Sequence, residues 1–480
     1  MTRSPRLLVA FTASAAVLSG CMVGPNYVRP TIRTPAHFKE AEGWIKAQPA
    51  DSAPRGDWWA MFNDPVLNDL EQKVVVSNQN LAAAEAAYRQ AHAIVAQDRA
   101  TLFPTITANG SAQRSGSGGG GTIITGGSGG VISTGRTSYQ ISAGASWQPD
   151  IWGRIRRTIE GARASAQASA ADLANARLSA QSELAIDYVQ LRADDELKRL
   201  TDITVEGYRR SLQITTNQYN AGIAAKSDLL TAQTQLANAQ AQSADYVRQR
   251  QLMEHAIAVL AGMPPADLTI APTAWTLAPP DLPVEVPSVL LQRRPDIAAA
   301  ERNAANANAQ IGVQTAAFFP TLDLSGQYGF SGSNLGSLFS ASSNFWSLGA
   351  TAAETILDWG ARSARVAQAR AAYDQAVAQY RQTVLSAFQE VEDQLAASRI
   401  LAQETPFRIE ASQGADAAEQ IAMNQYRAGT TTYTSVVVAQ NTALQARTSL
   451  VTNQTNRIVA SLDLITALGG GWSDTQLPKD

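Results

Sequence analysis

The chain is written twice, and the spacing between the two copies is the strongest constraint on how it folds. Phe103-Pro104-Thr105 recurs as Phe319-Pro320-Thr321, Asp150-Ile151-Trp152-Gly153-Arg154 as Asp358-Trp359-Gly360-Ala361-Arg362, and Gln218-Tyr219-Asn220-Ala221-Gly222 as Gln425-Tyr426-Arg427-Ala428-Gly429. Gly153 to Tyr219 and Gly360 to Tyr426 both span 66 positions, whereas Thr105 to Asp150 spans 45 and Thr321 to Asp358 only 37. An internal duplication in which one stretch keeps its length while another drifts marks the constant stretch as a ruler. That ruler is rich in Ala, Gln, Arg and Glu, with Pro406 as its one proline, and predicts a helix on the order of 100 Å long in each copy. Val377, Val384 and Val391, then Val437, Leu444, Val451, Ile458 and Ile465, repeat at sevens. Such spacing predicts packing against other long helices. Tyr219 with Gly222, and Tyr426 with Gly429, end the long helices as hairpin tips, because glycine suits the left-handed position beyond a helix end.

Two shorter helices are predicted from about 227 to 261 and from about 295 to 317, with a proline-dense side structure between them. Ahead of each long helix the period changes to two. Ile106, Ala108, Gly110 and Ala112 alternate with Thr107, Asn109, Ser111 and Gln113; Tyr139 to Trp147, Leu322 to Phe330 and Trp346 to Ala352 behave alike. Each run has about the 9 to 11 residues that a tilted strand needs to cross a bilayer. A half-buried sheet of a soluble domain shares this pattern. Glu354 falls on the apolar parity of the fourth run, so the span is expected to end before it. Lipid tolerates no open strand edge, and four strands are too few to close. Two chains would give eight strands and a filled interior, three would give twelve and an open lumen, so a pore favours a homotrimer.

Arg3 and Arg6 precede an apolar run from Leu7 to Leu18, and Ser19-Gly20 follows, which is the layout of a secretory signal. The one cysteine of the 480 residues, Cys21, stands at that junction in Leu18-Ser19-Gly20-Cys21, as in a bacterial lipobox. An ordinary signal beside an idle thiol is the alternative. With 38 basic and 41 acidic residues there is no basic field for nucleic acid, and His37, His92 and His255 have no metal-ligand spacing. No cofactor or metal is expected. The Ser115 to Gly135 stretch is glycine-rich but no Gly-Lys-Ser/Thr follows, so it predicts a surface loop and not a phosphate cradle. Asp194-Asp195-Glu196 predicts a solvated helix face. No nucleophile, base and orienter fall together, so an enzyme is not expected.

Cys21-Met22-Val23-Gly24-Pro25-Asn26-Tyr27-Val28-Arg29-Pro30, Trp58-Trp59, Asp150-Ile151-Trp152-Gly153-Arg154, Arg293-Arg294-Pro295-Asp296-Ile297 and the paired Tyr-x-x-Gly tips resemble the TolC-like outer-membrane factors, in the NodT/OprM branch of efflux lipoproteins. Arg293-Arg294-Pro295-Asp296 alone also reads as a helix start with proline in the first turn. The resemblance implies a mainly α protein with transmembrane β: a homotrimeric twelve-stranded outer-membrane barrel continued by a periplasmic α-helical barrel, built from two internal repeats per chain. It implies segments 1–20 (signal), 21–65 (periplasmic extension), 66–262 (first repeat), 263–294 (proline-rich equatorial segment), 295–469 (second repeat) and 470–480 (tail). Its implied partners are outer-membrane lipid, a periplasmic adaptor and an inner-membrane pump of the resistance-nodulation-division type, for export of toxic small molecules. A periplasmic coiled-coil scaffold lipoprotein without a pore shares the helices but does not need the strands. The resemblance further implies lipidation at Cys21 and a periplasmic gate around Tyr219, Gly222, Asp228, Tyr426, Arg427, Gly429, Thr434 and Val438. Relatives carry Leu-Asp-Ala-Gln where this chain has Val437-Val438-Ala439-Gln440, so Val438 is expected to give an apolar constriction. Asp228 is expected to bond to a neighbouring tip near Tyr426 or Arg427, or else only to cap its own helix.

Overall fold

The computed structural model describes residues 22–35, 37–40, 57–116, 136–280 and 293–478. Cys21 and most of the glycine-rich stretch lie outside them. The elements run α1 (Pro65–Ser77), α2 (Gln79–Ala100), β1 (Thr105–Ser115), β2 (Arg136–Trp147), α3 (Arg154–Asn220), α4 (Lys226–Leu260), α5 (Pro295–Ala316), β3 (Thr321–Gly332), β4 (Asn344–Ala353), α6 (Ala361–Arg427) and α7 (Tyr433–Ala467). The two copies match residue for residue in helix length: α3 and α6 have 67 residues, α4 and α7 have 35, α2 and α5 have 22. None of the described helices is long and apolar enough to cross a membrane.

The chain forms two compact units, and neither follows the repeat boundary. The first gathers Met1–Pro30, Arg89–Ala166 and Arg302–Val377, the second Thr31–Tyr88, Gln167–Glu301 and Ala378–Asp480.

In the first unit the four strands make one antiparallel sheet in the order β1-β2-β3-β4. Its register sets Ile106 beside Ala145, Ala145 beside Gly326 and Gly326 beside Leu348; the next row is Ala108, Ala143, Tyr328 and Trp346. Since side chains alternate across a strand, these rows put the apolar residues of all four strands on one face and Thr107, Gly144, Gln327 and Ser347 on the other. The strand β4 ends at Ala353, one residue before Glu354.

The repeated Asp-x-x-x motif explains how each long helix starts. Asp150 accepts from the amides of Ile155 (2.9 Å) and Arg156 (3.0 Å) and from Arg156 Nε (3.1 Å); Asp358 accepts from the amide of Arg362 (3.0 Å) and its Nε (2.8 Å). Acids so placed satisfy the free amides of a helix amino end. Trp152 stacks on Phe319 at 4.8 Å and donates its indole N–H to Pro320 O at 2.7 Å, which fixes the joint between strand and helix. The chain's first described residues are strapped onto this unit. Arg157, fully buried, donates to Val23 O, Gly24 O and Asn26 Oδ1 and pairs with Glu160 at 2.7 Å. Gly24 sits so close to Gly312 that a Cβ would stand 2.5 Å from its Cα, so a side chain there would drive the strap off the helix.

In the second unit the heptad positions are core: Val384, Val391 and Ile458 are fully buried, and Trp58, Leu67, Leu184, Leu191 and Ile297 pack with them. Arg294 pairs with Asp296 (2.7 Å) and Glu390 (2.6 Å) and donates to Ala467 O, so the Arg-Arg-Pro-Asp motif both starts α5 and stitches it to α6 and to the end of α7. The acidic trio departs from expectation. Asp194 is 1% and Asp195 8% exposed, not solvated. Asp195 pairs with Arg192 (3.3 Å) and Arg250 (2.7 Å); Arg192 also holds Ala271 O at 2.8 Å, and Glu254 accepts from the amide of Ile270 at 2.7 Å. Of the trio only Asp195 reaches beyond α3, to Arg250 on α4, while Arg192 and Glu254 hold the extended chain after Gly262 at Ala271 and Ile270.

Candidate gate at the helix tips

Each long helix ends in the same turn. Gly222 and Gly429 both adopt φ +73°, and the amides beyond them close back: Ile223 N donates to Gln218 O at 2.8 Å and Thr430 N to Gln425 O at 2.9 Å. Only glycine takes that conformation without strain, which is why the two Tyr-x-x-Gly motifs mark the tips.

Beyond this turn the two tips differ. Tyr219 is 37% exposed, while its counterpart Tyr426 is 5% exposed, shares a 3.1 Å hydroxyl hydrogen bond with Thr215 and packs at 5.3 Å against the ring of Tyr433. Tyr433 is itself buried with Val436, Val437 and Ala232, and its hydroxyl has no hydrogen-bond partner among the described residues. Burial pushes that phenol well above its usual range, and the charges of Tyr426, Tyr208 and Asp228 add to the shift. Two cross-links hold α7 to α3 here: Tyr208 donates to Asn441 Oδ1 at 3.0 Å, and Gln440 Nε2 to Ser211 Oγ at 3.4 Å.

Asp228 lies in the first turn of α4, whose N-cap residue, Ala225, makes no side-chain capping hydrogen bond. An acid in that turn meets the favourable field of the helix end. Val438 is 60% exposed and Val437 buried, so of that adjacent pair Val438 is the one facing outward. Arg427 and Thr434 are exposed as well. The expected set therefore divides: Tyr426 is absorbed into its own chain's packing, while Arg427 stays exposed. Sequence reasoning missed Thr215, Ser211 and Tyr208. Their spacing of three and four residues on one helix face was the available signal. Among the described residues no group of His, Cys, Asp and Glu is set to hold a metal ion.

A sequence model of the outer membrane efflux protein family matches residues 70–263 and 286–470. The toluene efflux pump outer membrane protein TtgC of Pseudomonas putida is 30% identical over 98% of this chain and 96% of its own. Outer membrane protein OprJ of Pseudomonas aeruginosa is 29% identical over 98% and 97%. Among solved structures, the outer-membrane channel OprN superposes with a TM-score of 0.85 at 30% identity, covering 94% of this chain and all of that one. The open state of the MtrE outer membrane channel of Neisseria gonorrhoeae gives 0.81 at 27%, covering 95% and 99%.

Proposed function

Because this chain belongs to the outer membrane efflux protein family, we propose that it is the passive exit duct of a tripartite pump, a homotrimer whose three sheets close into one twelve-stranded barrel. It is an outer-membrane efflux component with a TolC-like fold, mainly helical with a four-stranded sheet. The observation that carries the finer reading is the sheet: one continuous apolar face, and β1 and β4 at its two open ends. Edges in lipid must be paired, and pairing β4 of one chain with β1 of the next, three times, removes all of them while leaving a lumen lined by the polar face. A coiled-coil scaffold without a pore has no use for such a face.

In this reading the long helices stand in the periplasm, Cys21 carries the acyl anchor, and the tips meet a periplasmic adaptor that joins the duct to an inner-membrane pump of the resistance-nodulation-division type. Energy comes from that pump. The duct's own work is to hold a polar path open through the barrel and a closable one at the tips, where threefold symmetry turns Val438 into an apolar ring and Asp228 into three bridges between neighbouring hairpins. Cargo is toxic small molecules, chosen by the pump. Detergent-extracted protein should run at the mass of three chains and conduct ions in planar bilayers without nucleotide. Monomers that conduct nothing, or turnover of nucleotide by the purified chain, would contradict the proposal.

A further inference from the structure

The apolar face of the sheet is not evenly filled. Where Ala145 and Gly326 stand side by side, with Ala143 one row further on, the face sinks into a hollow of about 370 Å³. Ile106 bounds it on the β1 side, Leu348 on the β4 side, and Tyr328 and Trp346 make an aromatic wall. The side chain of Leu348 leans over Gly326, 3.2 Å from where a Cβ would be. All four wall residues are more than half exposed in the isolated chain. We propose that this hollow is a lipid site, which seats one acyl chain of a membrane phospholipid in each protomer.

The inference rests on reading the sheet as a membrane wall, and three observations carry it past that reading. Lipid is the solvent of the apolar face in an outer-membrane protein, so the occupant must be hydrocarbon. A depression with branched and aromatic walls and a floor of methyl and glycine makes contact only with a chain that enters it; an undirected lipid shell lying flat across would leave its lining without neighbours. The position then selects the source. All four strands join their helices at the same end of the sheet; counted from that end, Ile106 is second in β1, Ala145 third in β2, Gly326 and Leu348 sixth in β3 and β4, and Tyr328 and Trp346 eighth. With the helices in the periplasm the hollow opens at the inner-leaflet end, at Ile106 and Ala145, and runs up to Trp346 near mid-span, so the chain that enters it comes from the phospholipid leaflet and not from the outer leaflet of lipopolysaccharide.

Trp346 supplies the readout. The full chain in detergent is titrated with phosphatidylcholine carrying brominated acyl chains, a contact quencher of tryptophan, and the signal of Trp346 is isolated by difference from Trp346→Phe. Quenching should saturate at one lipid per protomer. Gly326→Leu, which fills the floor, should raise the half-saturating lipid about fivefold, the effect of losing one or two buried methylene contacts. Ala112→Leu, on the same face but outside the hollow, should match the parent. Ala145→Val narrows the same floor from β2 and serves if Gly326→Leu does not assemble. Quenching that rises in proportion to lipid without saturating, or equal half-saturation in parent and filled variants, overturns the site. Absence of any Trp346 quenching in vesicles made wholly of the brominated lipid instead overturns the membrane-wall reading beneath it.

Discussion

Glu71, on α1, is fully buried, and neither carboxylate oxygen has a hydrogen-bond partner among the described residues. Burial raises its carboxyl from the usual 4.5 to about 9. The folded chain therefore holds a proton that the unfolded chain releases between those values. Stability is full below the unfolded value and falls as pH rises through the window. Glu71→Gln keeps the shape and removes the titration, so it should exceed the parent by about 3 kcal/mol at pH 7 and match it at about pH 4. Thermal midpoints in detergent at the two pH values test this; an offset that ignores pH would count against it. At the tips, Asp228→Ala should raise closed-state leak if three bridges are lost. Val438→Asp should introduce block by divalent cations, because the apolar ring proposed at this exposed position becomes acidic. Single-channel recording separates both from a helix-end effect, which would change stability and leave conductance as it was.

Among the elements, α6 carries Pro406 in its interior. Proline removes the amide that would bond to the carbonyl four residues back. The neighbouring helix braces the turn that precedes it: Asn453, 4% exposed on α7, donates to Leu401 O (3.4 Å) and Glu404 Oε2 (3.2 Å) and accepts from Thr405 Oγ1 at 2.9 Å, while Arg457 donates to the same hydroxyl at 3.3 Å. Asn453→Leu should cost about 2 kcal/mol by stranding these groups, and Pro406→Ala should recover part of the loss in the double variant. Additive midpoints would show that brace and proline are unrelated. Helix lengths were legible in the sequence because the duplication fixed them, and the strands because period two and the register agree. The tips were legible through their glycines. The buried ion pairs were not: Asp194-Asp195-Glu196 looks like a wet surface until Arg250, 55 residues on, and Ala271, 79 residues from Arg192, close over it. Glu71 was legible only as an acid at the i+4 position from Leu67 and three before Val74, on the apolar face of α1, and that parity went unread.

For the whole molecule, the proposed anchor and the proposed barrel should make separable contributions. Intact mass of the mature parent should show a triacylated Cys21. Cys21→Ala behind a non-lipoprotein signal should still fractionate with the outer membrane as a trimer, because twelve strands hold it there without the two or more acyl chains that anchoring alone requires. Loss of the variant from the membrane would mean that the strands do not insert unaided.

The strap sets an order in time. Gly24 docks on Gly312, and Asn308 holds Pro25 O at 3.0 Å, so the seat of residues 22–26, begun by Arg157 in the first repeat, is complete only when the second repeat has been made and α5 has folded. Contacts of such long sequence separation form late. Until the strap seats, Arg157 has Glu160 as its ion-pair partner but lacks the carbonyls of Val23 and Gly24. Seating of the strap is thus a clock mark: protection of residues 22–26 in a pulse-chase would report that both halves of the protomer are already in place.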